Sequence, residues 1–145
     1  MSFLLTHLHT GWDVDQAILW EKEKLVVIRF GHDTDSTCMK MDEMLASVAE
    51  YLKNFVVIYV VDITEVPYFN TMYELNDPCS TMFFFRNKLV QVDFGTGDNY
   101  KMNFLMKTKQ EFIDICELIY RTVTRGDGLV KSIINYASND SRYIE

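Results

Sequence analysis

At 145 residues, with 48% hydrophobic content that includes ten Phe and eight Tyr, the chain has the material for one domain with a substantial core. Twenty-one acidic against fourteen basic residues leave a net charge of -7, so the molecule as a whole repels polyanions and any nucleic-acid contact has to be local. No apolar run approaches the roughly 20 residues a bilayer crossing needs, and three cysteines are too few and too scattered for a secreted disulfide framework, which leads to the expectation of a soluble, intracellular protein without membrane contact.

In chain order, the first twelve residues are mixed and fit a short strand or an extended arm. Asp13 or Asp15 can then begin a helix with Val14, Ala17 and Ile18 on one face, and Glu21 to Lys24 make a solvated exit. Leu25-Val26-Val27-Ile28 and Phe30 read as a buried strand released by Gly31. A helix is predicted from near Ser36, capped by Ser36 or Thr37, with Met41, Met44, Leu45, Val48 and Leu52 as its apolar stripe and Asp42 and Glu43 near its positive end. Phe55 to Val61 is apolar without alternation, the pattern of a strand inside a parallel sheet. Val66 to Tyr73 reads as a short helix with Pro67 in its first turn. Thr81 to Phe85 and Leu89 to Phe94 flank Arg86-Asn87-Lys88 as a hairpin. Gly95-Thr96-Gly97-Asp98 lacks the Gly-Lys-Ser/Thr continuation of a phosphate loop and reads as a turn. Thr108 and Glu111 fit a capping box for a last helix that buries Phe112, Ile115, Cys116, Ile119 and Val123 and stops at Gly126, whereas residues 127–145 show little periodicity and read as a tail.

Strand, loop, cysteine, helix is the layout of a thioredoxin active site, and the βαβ half followed by a hairpin and a closing helix resembles that fold: α/β, a central mixed sheet flanked by helices. The resemblance implies two thiols in a Cys-x-x-Cys, because exchange needs one sulfur to attack and one to resolve. Here the four residues are Asp35-Ser36-Thr37-Cys38, with a carboxylate at the attacking position. Such enzymes also carry a buried aspartate in the preceding strand, where Arg29 aligns, and a cis-proline facing the motif, where Ser80 aligns. Three replacements at three roles argue against catalysis and leave no catalytic residue to assign.

The strings HLHTGWDVDQAI, VVIRFGHD, TCMKMDE, VIYVVDITEVP, MYELNDPC, FFFRNK and GTGDN resemble, in register over roughly residues 1–126, the Dim/Dib family of pre-mRNA splicing factors, the thioredoxin-like fifteen-kilodalton proteins of the U-five snRNP. That resemblance implies a thioredoxin-like domain over 1–126 with a C-terminal extension over 127–145. It implies a nuclear, non-enzymatic part of the spliceosomal tri-snRNP, docked on the large spliceosome scaffold protein near the five-prime splice site of the pre-mRNA and linked to mitotic progression. No cofactor and no small-molecule substrate is expected. The family's last helix runs into a basic segment that this chain lacks. The fold brings Cys38 and Cys79 toward each other, either as packed thiols or as a disulfide whose loop of about 40 residues would contribute roughly 4 kcal/mol on the chain-entropy model.

Other signals are weaker. His7, His9 and His32 lack the companions of a metal set, so no metal is expected. Lys101, Lys107, Lys109, Arg121 and Arg125 read as a solvated face without the aromatic interleaving of a nucleic-acid groove. Two classes follow: an interaction module that docks through the groove beside Cys38 and through Tyr68, Phe69 and Tyr73, or a redox protein or chaperone using Cys38 as a lone nucleophile.

Overall fold

The computed structural model describes residues 5–137. Its elements are β1 (Thr6–His7), α1 (Gly11–Trp20), β2 (Leu25–Gly31), α2 (Ser36–Leu52), β3 (Val56–Asp62), β4 (Cys79–Phe85), β5 (Lys88–Leu89), β6 (Gln91–Asp93), α3 (Lys109–Thr124) and β7 (Leu129–Lys131). Five strands form one mixed sheet in the order β1-β3-β2-β4-β5, with β1, β3 and β2 parallel and β4 antiparallel to both β2 and β5. Thus β2 lies at the centre, and all seven of its residues are buried.

Because successive strand side chains point to opposite faces, a continuous apolar run feeds two cores at once. Val27, Phe83 and Phe85 belong to the core shared with α2 and α3, while Val26, Ile28, Phe30, Met82 and Phe84 belong to the core under α1 and the segment Val66–Phe69. The run Phe83-Phe84-Phe85 is therefore a two-faced strand, as its lack of alternation implies.

Several local expectations are corrected. Helix α1 starts at Gly11, not at Asp13 or Asp15, because the Thr10 hydroxyl accepts from the Asp13 amide at 3.0 Å. The cap of α2 is Asp35 rather than Ser36 or Thr37. The helix expected over Val66 to Tyr73 is one 3-10 turn, Pro67–Phe69. Arg86 and Asn87 take positive φ of 49° and 65° in the hairpin turn, but the second strand lasts only through Leu89. Val90 still donates to the Phe83 carbonyl, and Gln91–Asp93 then pairs with β7 instead.

That pairing also corrects the boundary at 126. Residues 129–131 run parallel to β6, and Tyr136 is buried at 1% exposure, stacked on Phe104 at 4.6 Å and edge-on to Phe94 at 6.1 Å. Its amide donates to the Phe94 carbonyl at 2.8 Å. The first part of the expected tail thus pairs with β6 and places Val130 and Tyr136 in the core; the remainder of it, residues 138–145, lies outside the described residues. Gly126 does end α3, at φ 87°, and the Thr108 cap of α3 is in place.

Candidate functional site

The corner where β2, α2 and β4 meet is the place of a thioredoxin active site, and two of the departures in sequence, Asp35 and Arg29, have a structural use there. Asp35 occupies the attacking position. One of its carboxylate oxygens accepts the amides of Thr37 at 2.9 Å and Cys38 at 3.1 Å, so the side chain neutralises the positive end of α2. A group committed to the cap is no nucleophile toward sulfur.

Cys38 and Cys79 are both buried free thiols, 0% and 1% exposed, and they are within hydrogen-bonding reach of each other. The Cys79 hydrogen bond lowers the Cys38 pKa; burial opposes this and the Arg29 charge assists it. Cys79 is pushed up, first by its hydrogen bond to Cys38 and then by burial, so of the two it keeps its proton. As a thiol, Cys38 donates to the Pro78 carbonyl at 3.0 Å, and the His32 amide donates to the same oxygen at 3.3 Å. Gly31 makes this fit: a Cβ there would lie 2.6 Å from the Pro78 oxygen and closer still to the Cys38 sulfur. Exchange with a substrate disulfide requires an accessible thiolate, and these sulfurs are enclosed by backbone.

Arg29, at the place of the enzymes' buried aspartate, is fully buried and ionic. Its Nε donates to one Asp42 oxygen at 2.7 Å and an Nη to the other at 2.6 Å; that Nη also reaches Asp33 at 2.8 Å, and the second Nη reaches the Val61 carbonyl at 3.1 Å. Burial alone would lower the guanidinium pKa, but Asp42, then Asp33, raise it above its ordinary value. The network therefore ties the central strand to the first turns of α2 and to the loop between them. His7 Nε2 extends it outward, 3.4 Å from Asp33. Asp62 holds the same loop from β3 by accepting the Asp33 amide at 3.1 Å. Burial works to raise the Asp62 pKa, yet hydrogen bonds from Thr64 and Asp33 prevail and hold it down to about 2.

Ser80, at the cis-proline place, is buried opposite Phe30 in register, and the bond before it is trans. The three aromatics expected as partner contacts separate. Tyr68 is 64% exposed, Phe69 is 1% exposed and packs on Phe30, and Tyr73 is half-buried with its ring stacked on Phe69 at 5.6 Å. Phe69 is core, because the 3-10 turn is too short to present three successive faces outward. Lys101 also leaves the expected solvated face: it is buried, its ammonium donating to the Glu74 carbonyl at 2.6 Å. Lys109 and Arg121, near opposite ends of α3, stand about 18 Å apart along its axis, too far for one patch. His9 pairs with Glu65 at 2.9 Å, and no cluster of metal-ligating side chains occurs among the described residues. Reading the chain alone missed Asp42 and Asp33 as partners of Arg29. The signal was present, since Asp42 falls on the stripe formed by Cys38, Met41, Leu45, Val48 and Leu52.

Solved structures of low identity share this architecture. Mitochondrial thioredoxin 3 from Saccharomyces cerevisiae, in its oxidised form, superposes with a TM-score of 0.60 at 14% identity, over 80% of this chain and 96% of that one. The likeness shows a thioredoxin-like fold. Among curated proteins, the chain is 58% identical over 135 residues to "Spliceosomal protein DIB1" of Eremothecium gossypii, spanning 93% of this chain and 94% of that protein. It is 56% identical over 138 residues to "Mitosis protein dim1" of Schizosaccharomyces pombe, spanning 95% and 97%. To human "Thioredoxin-like protein 4B" it is 39% identical, over 93% of this chain and 91% of the other. The family model described as "Mitosis protein DIM1" matches residues 4–136, a span that includes β7 and Tyr136, and the chain belongs to that family.

Proposed function

We propose that the protein is a non-enzymatic component of the spliceosome, carried in the U-five snRNP and the tri-snRNP, and that it serves pre-mRNA splicing in the nucleus as a rigid body onto which larger proteins dock. A link to mitotic progression accompanies this role. The observation that carries the reading is identity above one half, over almost the whole length, to relatives named as spliceosomal and mitosis proteins. The site supports it physically, since Asp35 is used as a cap and the two thiols are enclosed. The large spliceosome scaffold protein is the proposed main partner, with the pre-mRNA near the five-prime splice site close by.

Rapid depletion of the protein from its own cells tests this. Unspliced transcripts should accumulate within one round of messenger turnover, and re-expressed protein carrying Cys38→Ser should restore splicing. Normal intron removal after depletion would overturn the assignment. Disulfide reduction by the purified protein, abolished by Cys38→Ser, would instead establish the redox or chaperone reading.

A further inference from the structure

Three lysines converge on one cleft of about 250 Å³ between an outer face of α2 and the segment that leads into α3: Lys40 from the first helix, Lys107 from the segment and Lys109 from the first position of α3. Met44, Leu105 and Met106 supply apolar lining between them. All three lysines are exposed, and among the described residues none of them forms an ion pair, whereas Arg29 is paired with Asp42, Lys53 with Glu50 and Arg125 with Asp127. One carboxylate, Glu43, lines the cleft with them. Glu111, in the first turn of α3, does not line it and is engaged by the Tyr136 hydroxyl at 2.8 Å and the Thr108 hydroxyl at 3.5 Å. The cleft is therefore cationic within an acidic chain, and charges gathered around a concave, partly apolar surface act more strongly than the same charges on a flat one. Because α3 begins beside the cleft, the first-turn amides that its Thr108 cap leaves over add partial positive charge of the same sign.

We propose that this cleft binds the phosphoryl group of a phosphorylated serine or threonine on a partner protein, with Lys40, Lys107 and Lys109 around it. Charge density selects this occupant. A phosphomonoester gathers about two negative charges and three acceptor oxygens on one tetrahedral group, one oxygen for each ammonium. Lysine suits that shape, since it is a compact charge on a flexible stem and needs no planar partner. A carboxylate of an acidic peptide brings a single charge to three cations. A nucleic-acid strand spreads its charge along its length, and would lay the rest of that length over the acidic remainder of a chain of net charge -7.

The test uses the purified full-length protein and two probes. Inorganic phosphate, titrated at constant ionic strength against chloride, should shift the resonances of Lys40, Lys107 and Lys109 saturably. A peptide library with a fixed central phosphoserine and randomised flanks should retain the protein, while the same library with serine or glutamate at the centre should not. For the tightest phosphopeptide, Lys107→Gln should weaken binding up to about fivefold, the worth of one solvent-exposed ion pair. The triple variant Lys40→Gln/Lys107→Gln/Lys109→Gln should abolish it, Lys131→Gln should leave it unchanged, and each variant should keep the native spectrum outside the cleft. The proposal is overturned by equal retention on the serine or glutamate library, by a uridine oligonucleotide that competes as well as the phosphopeptide, by phosphate shifts with no phosphopeptide retained (an adventitious ion only), by shifts confined to another face, or by a triple variant that binds as the native protein does. The outcome is independent of the splicing assignment, since it is read on the isolated chain.

Discussion

At the scale of the residue, Arg29 is the most consequential departure from a redox site. A guanidinium taken out of water costs several kcal/mol unless its donors are met, and here Asp42 accepts two of them in the parallel geometry that arginine favours. Such a pair adds less net stability than its distances suggest, but removing one member leaves buried charge behind. Arg29→Met is therefore expected to destabilise the protein by about 3–5 kcal/mol in urea unfolding, whereas the double variant Arg29→Met/Asp42→Leu should recover most of the loss. A single variant within about 0.5 kcal/mol of the native protein would show that the network contributes nothing. Arg29→Lys should fall between, because one ammonium cannot replace the planar fork.

At the scale of the element, the segment after α3 decides how far the domain extends. Residues 127–137 contain Asn, Ser, Gly and Asp with little periodicity, and the physics of short edge strands explains why they read as a tail. A three-residue strand carries no usable alternation, and β7 has one buried side chain, Val130. Its partner β6 is also three residues long, so neither predicts the other. Tyr136 supplies what the strands lack: an aromatic ring wedged against Phe94 and Phe104, with a hydroxyl that donates to Glu111 at 2.8 Å. Tyr136→Ala should cost about 3–5 kcal/mol, in the range of large aromatic truncations, and Tyr136→Phe about 1 kcal/mol for the hydrogen bond. Thermal unfolding measures both; a Tyr136→Ala protein that melts with the native one would return the segment to the status of a tail.

At the scale of the whole molecule, the surface divides into parts that can meet a partner and parts that cannot. Phe69 and Tyr68 are neighbours in sequence, with rings at 90° and centroids 4.9 Å apart, yet only Tyr68 faces solvent. Tyr68→Ala should leave stability within about 0.5 kcal/mol of native and reduce the fraction of protein that sediments with the assembled tri-snRNP. Phe69→Ala should instead unfold the α1 side of the core, at about 3–5 kcal/mol, so its effect on assembly reports folding. Equal sedimentation of native protein and Tyr68→Ala would remove this residue from the proposed docking surface. Trp12 and Trp20, each 69% exposed, are further large side chains on the α1 side that the core does not use.

Much of this protein is legible from residue order because its longest elements carry local information. β2, α2, β3 and α3 announce themselves through unbroken apolar runs or stripes at three and four residues, and the carboxylate of Asp35 at the attacking position is read from residue order alone. Tertiary structure alone decided the rest. Asp42 and Glu43 look alike as neighbouring carboxylates at one helix end, and only packing against β2 makes the first an ion partner of Arg29 and leaves the second exposed. Lys101 and Lys107 are likewise both lysines in one loop region, separated in fate by a carbonyl 27 residues away. Periodicity records which face of an element is buried. Pairings between residues distant in the chain carry no periodicity, so burial of a charge, closure of a short parallel ribbon and the shape of a groove appear only when the elements meet.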